Sequence, residues 1–135
     1  MSQKGESFFP YDTFIFFYSP FLLTNIFFNN LNSKTMNNYK GKKVIVRCDR
    51  AGVFFATLKE FDPTTLVADL EQVRRIHYWD GAASLSQLAT EGVKNPSACR
   101  FTVTVAEQTV TQVIEIIPCT KEAIKNIEAV RVWKR

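Results

Sequence analysis

Arg74, Arg75, His77, Tyr78, Trp79 and Asp80 crowd two cations, an imidazole, two aromatic faces and a carboxylate into one short run. This run holds the chain's only His and one of its two Trp. The mixture suits an anionic ligand that carries a base or ring. Arginine meets phosphate with a fork of donors, and flat aromatics stack on bases. Arg47 and Arg50 would add charge if their strand lies beside this one. The plainer alternative is that Tyr and Trp are ordinary strand residues and that the arginines lie in solvent. The candidate ligand-binding set is therefore Arg47, Arg50, Arg74, Arg75, His77, Tyr78, Trp79 and Asp80.

Other chemistry finds little support. One His and three scattered cysteines, Cys48, Cys99 and Cys119, do not make a zinc pattern. No metal and no cofactor are expected. Cys48, Cys99 or Ser84 could be combined with His77 and Asp80 as a nucleophile, base and acid. Nucleophilic catalysis needs those groups adjacent, and no spacing here suggests it. The five Gly are scattered, so no phosphate-cradling loop is visible. No catalytic residue is assigned, and a non-enzymatic protein is expected. The odd number of well-separated Cys reads as buried thiols in a reducing compartment.

Composition sets further limits. A chain of 135 residues holds one domain rather than two. A net charge of +4, from 17 basic and 13 acidic residues, is mildly basic. It permits nucleic-acid contact without indicating it, because no long basic run occurs.

Residues 1–35 differ from the rest. Eight of the twelve Phe lie there. The apolar run from Ile15 to Phe28 is interrupted by Pro20 and by Ser19, Thr24 and Asn25. It is short for a membrane span and lacks the flanks of a secretory signal. Phe, Asn, Ile, Lys and Tyr are what AT-rich codons supply, and Met36 opens a normal domain start. An over-extended gene start is expected. A hydrophobic leader that anchors to a membrane and a genuine structured extension are the alternatives. The domain is expected at 36–135, with no membrane role of its own.

The elements that must position the candidate residues follow from periodicity. Lys43–Arg47 alternates as a half-buried strand. Asp49 to Gly52 supplies a turn, and Val53–Glu60 returns. Asp62-Pro63 breaks the chain, and Thr64–Ala68 reads as a third strand. Asp69–Gln72 reads as a polar link. Val73–Trp79 is a fourth strand with neither face cleanly apolar, as at an edge or a ligand-facing surface. Ser84, with Gln87 three residues on, can cap a helix carrying Leu85, Leu88 and Ala89, and Gly92 can end it. Arg100–Ala106 alternates, Glu107-Gln108 reads as a weak turn, and Val110–Ile117 is a long strand. Thr120 can cap a second helix, with Glu122 in its first turn. Val130–Trp133 closes as a short strand. The fold class expected is α+β: one small domain with a mainly antiparallel, curved sheet of about seven strands and two short helices.

Three segments carry a resemblance: CDRAGVFF at Cys48–Phe55, YWDGAASLSQLA at Tyr78–Ala89 and IIPCTKEA at Ile116–Ala123. The chain from about Lys42 to Arg135 resembles a small family of uncharacterised proteins, a domain of unknown function, encoded by gut-bacterial phages, prophages and their hosts. His77 departs from the pattern, since an aromatic or aliphatic residue is usual there. The resemblance implies a phage or mobile-element setting, a cytoplasmic domain of about 100 residues and no assigned activity. It has no counterpart for residues 1–35.

Together these readings favour a small binding or accessory protein acting inside a bacterial cell, with an anionic or nucleotide-like ligand. A nucleic-acid-binding accessory domain is the alternative, and a protein–protein module, with a host protein as partner, the third. A homo-oligomer is compatible with all three.

Overall fold

The computed structural model describes residues 38–135. The expectations for residues 1–35 lie outside the described residues. The order of elements is β1 (Lys43–Cys48), β2 (Gly52–Asp62), β3 (Val67–Tyr78), α1 (Leu85–Glu91), a 3₁₀ turn at Pro96–Ala98, β4 (Arg100–Val110), β5 (Val113–Pro118) and α2 (Lys121–Glu128). The five strands form one sheet in the order β4-β3-β2-β1-β5, and every neighbouring pair is antiparallel.

The connection from β4 to β5 forces that sheet to curve. These strands are its two edges, yet only Thr111 and Gln112 join them. Four strand spacings across a flat sheet would measure about 19 Å. The chain from Val110 to Val113 reaches about 11 Å at most. The edges must therefore curl toward each other at this end. Gln112 makes the turn with φ of 56°, and its carbonyl accepts from the Asp49 N–H at 2.9 Å. Within the curl lie Val44, Val46, Phe54, Ala56, Leu58, Leu70, Val73, Val110 and Val113.

A second core covers the other face. Ile45, Phe55, Ile76 and Phe101 meet Leu88 and Ala89 of α1 and Ala123 and Ile127 of α2. β1 and the start of β2 thus lie between two apolar layers, which is why both of their faces read as apolar.

Five strands replace the seven expected, for identifiable reasons. Thr64–Ala68 and Val73–Trp79 fall on one long strand, β3, apart from the turn residues before Val67 and Trp79 just past its end. Asp69 and Glu71, read as a link, are the outward half of a period-two pattern whose inward half is Ala68 and Leu70. Thr109 Oγ1 donates to Asp69 Oδ1 at 2.6 Å, and Lys59 lies 3.7 Å from Glu71. Gln72 takes a φ of 51°, where the register against β2 shifts. The polar link is a β-bulge that bends the strand without ending it. Likewise Glu107 and Gln108 pair with Glu71 and Leu70 inside an unbroken β4, so the turn falls later, at Gln112. Val130–Trp133 makes a single parallel bridge, Val132 to Phe101, rather than a strand.

The helix ends follow the sequence closely. Ser84 Oγ accepts from the Gln87 N–H at 3.2 Å, and Gln87 Oε1 accepts from the Ala83 N–H at 2.8 Å. The Gly92 N–H returns to the Leu88 carbonyl. Thr120 serves two helices at once. Its Oγ1 accepts from the Ala123 N–H at 3.1 Å, starting α2. Its own N–H and O–H donate to the Ala89 and Thr90 carbonyls, closing α1.

Among the described residues no helix is long and apolar enough to cross a membrane.

Candidate functional site

Arg74 and Arg75 point to opposite faces of β3, and each has a structural engagement. Arg74 is buried. Its Nε donates to the Thr102 carbonyl at 3.1 Å, its Nη1 to the Ile127 carbonyl at 3.1 Å and its Nη2 to the Phe101 carbonyl at 3.4 Å. The guanidinium also lies 5.4 Å from the Phe101 ring centre. One planar cation thereby fastens the last turn of α2 to β4, where the helix dipole favours a positive charge. Burial pulls its pKa below the usual arginine value. These bonds leave Arg74 committed to the fold.

Arg75 turns to the other face. Its guanidinium lies 4.6 Å from the ring centre of the buried Phe54, and Nη1 donates to the Ala51 carbonyl in the β1–β2 turn. It covers the end of the curled core yet remains exposed. The same cation draws the Cys48 thiol pKa down, against a larger upward push from burial.

His77, Tyr78 and two residues not singled out in the sequence do come together. Relative to β4, the register shifts between Ile76 and Tyr78. Ile76 enters the helix-side core, and the extra residue leaves consecutive His77 and Tyr78 both exposed. The His77 imidazole stacks on Trp133, with ring centres 5.3 Å apart and planes 3° apart. Arg100 lies 5.6 Å from the Trp133 ring centre and 5.9 Å from that of Tyr78. Trp133 is held there because its N–H donates to the Phe101 carbonyl at 2.8 Å. Beside it is a cavity of about 310 Å³, lined in part by Arg131, Trp133, Lys134, Ser97 and Cys99.

Trp79 and Asp80 belong to a separate knot. Trp79 Nε1 donates to the Ala82 carbonyl at 3.1 Å, and its ring packs on the helix-side core. Asp80 Oδ2 accepts from Asn95 Nδ2 at 2.9 Å, while its N–H meets Cys99 Sγ at 3.4 Å. Gly81 has φ of 94°, and a Cβ there would stand 2.5 Å from the Lys94 nitrogen. The Asp-Gly pair is needed for this close crossing. Much of the YWDGAASLSQLA segment is therefore occupied with holding itself together.

Arg47 and Arg50 lie at the far end of the first hairpin. Arg47 is 3.9 Å from Glu115 across the β1–β5 pair. Arg50 is exposed in the turn. Among the described residues, Arg50, Arg75, Arg100, Arg131, Lys134 and Arg135 have no carboxylate partner within ion-pair distance.

Cys48 and Cys99 are buried and Cys119 half-buried, all with free thiols. Burial raises the Cys119 pKa to about 11, with Lys43 opposing in part. Among the described residues no group of three or more His, Cys, Asp or Glu is placed to hold a metal ion.

The model of a family described as a domain of unknown function, DUF6948, matches residues 41–127. The chain belongs to the DUF6948 family. The match spans β1 to nearly the end of α2 and leaves Trp133 just beyond it. Among solved structures, this DUF6948 domain is similar to a heptameric archaeal Sm protein, with 18% identity and a TM-score of 0.43. That likeness covers 64% of this chain and 98% of the other. A comparison with curated proteins finds no match.

Trp133 and Arg100 escaped the sequence reading because each sits where a strand was expected to place it. The available signal was compositional. Val132-Trp133-Lys134-Arg135 puts the second Trp beside two cations at the chain's end.

Proposed function

We propose that this protein is a small non-enzymatic binding protein whose ligand is an anionic, nucleotide-like molecule. The observation that carries this reading is the exposed cluster of Tyr78, Trp133 and His77 around Arg100, beside the cavity walled by Arg131 and Lys134. Aromatic faces accept a base of any identity, and the cations beside them, which have no carboxylate partner among the described residues, accept its phosphate. Of the residues expected to bind, His77 and Tyr78 remain central. Arg75 and Arg50 are exposed but stand outside this cluster, while Arg74, Trp79 and Asp80 serve the scaffold in this reading. The phage or mobile-element setting and action inside a bacterial cell are part of the same proposal.

The test is intrinsic tryptophan fluorescence of the full chain titrated with adenosine 5′-monophosphate. Saturable quenching that Trp133→Ala abolishes is the expected result. Absence of saturable quenching at millimolar nucleotide, or quenching unchanged in Trp133→Ala, would overturn the reading.

A second reading, a protein-interaction module or homo-oligomer, is favoured by a different observation. Among the described residues β4 and β5 are the sheet's edge strands, β4 carrying only the single Val132 bridge, and an apolar groove of about 240 Å³ lies among Phe61, Leu66, Val113 and Ile114. Leu66 and Ile114 are exposed. Light scattering on the full chain separates the two, since self-association through this groove raises the mass and Ile114→Lys restores the single-chain value.

A further inference from the structure

We infer that the ligand is a single-stranded nucleic acid rather than a free mononucleotide, and that it runs from the Trp133 cluster across the end of β3 to the β1–β2 turn. This rests on the proposed nucleotide-binding reading and extends it.

The juxtaposition behind it is set by the alternation of β3. Arg74 and Ile76 turn into the helix-side layer, so Arg75 and His77 share the opposite face. His77 stacks on Trp133, and Trp133 neighbours Arg100. Arg75 reaches sideways over Phe54 of β2 onto the Ala51 carbonyl, beside Arg50, in a turn that the Val53–Ile76 pairing sets at the same end of the sheet. The result is an ordered row: Arg100 and Trp133, then His77, then Arg75, then Arg50. Aromatic stacking surfaces stand at one end and cations at both. A groove that tracks a backbone with cations and seats bases on rings is the general form of single-strand recognition. A mononucleotide would use the Trp133 end and leave Arg50 and the open donors of Arg75 without an anionic partner.

The charges support the same path. None of Arg50, Arg75 or Arg100 has a carboxylate partner among the described residues. Arg47, aligned with Val53 and Ile76 of the helix-side layer and so off this face, is instead balanced by Glu115. Arg75 is also held over Phe54, 4.6 Å from the ring centre, and by its bond to the Ala51 carbonyl, while its side chain stays exposed. Next to the row, Val103 and Val105 of β4 are exposed and provide an apolar flank for bases or riboses.

The experiment compares adenosine 5′-monophosphate with adenine hexanucleotides, one RNA and one DNA, on the full chain by calorimetry. At least one hexanucleotide is expected to bind more tightly than the mononucleotide by about tenfold for each additional stacked base. Arg50→Gln, an exposed turn variant, is expected to weaken hexanucleotide binding about tenfold and leave the mononucleotide unchanged. Arg50→Gln combined with Arg75→Gln is expected to flatten the slope of log affinity against log salt by about 1.4, two phosphates at roughly 0.7 each. A preference between the two hexanucleotides identifies the sugar.

Mononucleotide binding with neither hexanucleotide any tighter overturns this inference and leaves the nucleotide reading standing. Tight hexanucleotide binding that Arg50→Gln and the double variant leave unchanged overturns the path across β3. Failure of all three ligands to bind overturns both.

Discussion

The His77 imidazole and the Trp133 indole lie face to face, with ring centres 5.3 Å apart and planes 3° apart. One ring comes from the C-terminal end of β3, the longest of the described strands, and the other from the chain's last few residues. The contact exists because a bulge exposes His77 and a backbone bond holds Trp133 against Phe101. Offset aromatic pairs contribute about 0.5–1.5 kcal/mol beyond area burial, and an exposed pair should fall at the low end. A double-mutant cycle of His77→Ala and Trp133→Ala, read by urea denaturation, is expected to show a coupling of about 0.5 kcal/mol. Strictly additive effects would mean the stack adds nothing to stability.

Arg74 should behave as a structural residue. Arg74→Met keeps the stem but leaves the Thr102 and Ile127 carbonyls without this donor. Unsatisfied buried acceptors cost about 1–3 kcal/mol each, so a loss of about 2–4 kcal/mol is expected in denaturant unfolding. Arg74→Lys should recover only part of it, because a single ammonium cannot span three carbonyls. A variant as stable as the parent would show that water replaces the guanidinium there.

The joint between the helices is expected to be equally sensitive. Asn126 Oδ1 accepts from the Val93 N–H at 2.8 Å, and its Nδ2 donates to the Val93 carbonyl at 2.9 Å. Gly92 has φ of 81°, and a Cβ on it would collide with the Asn126 side chain. Asn126→Ala should cost about 1–3 kcal/mol through the two unpaired backbone groups. Gly92→Ala should cost more than the usual penalty of about 1 kcal/mol for a side chain at positive φ, since Asn126 must also move. Thermal melts of both variants and the double variant test this. The double variant should lose less than the sum, because removing Asn126 clears the space.

Alkaline stability should carry the mark of Cys119. Its folded pKa is pushed up to about 11, above the ordinary value of 9.0. The fold therefore holds the thiol proton more tightly than the unfolded chain does. The stabilisation is complete below about pH 9 and is lost as pH rises toward about 11. The Cys48 shift acts in the same direction. Denaturant unfolding between pH 8 and pH 11 should fall less steeply for Cys119→Ala than for the parent. Identical slopes would show that the Cys119 pKa is the same in the folded and unfolded chains.

Local features were legible in the sequence because each depends on a few neighbouring residues. Ser84, Gly92 and Thr120 cap the helices where their side chains and φ preferences require, and Asp62-Pro63 ends β2 as expected. The antiparallel α+β class followed from alternating strands without a βαβ repeat. Strand number was misjudged where outward polar pairs, Asp69 with Glu71 and Glu107 with Gln108, resemble turns unless the neighbouring strand is known. Turns at Leu66 and Gln112 lacked the usual glycine at positive φ, so nothing local announced them.

Which side chains share a surface was decided by tertiary structure. A single residue's alternation separates Arg74 from Arg75, sending one into three carbonyls and the other to the open face. A bulge then sets His77 and Tyr78 side by side, and the chain's end brings Trp133 to them. Residue types alone determined that cations and rings were available near β3. Only the pairing of β3 with β4, and of β4 with the final segment, determined which of them meet, because strand register and bulges depend on partners distant in sequence.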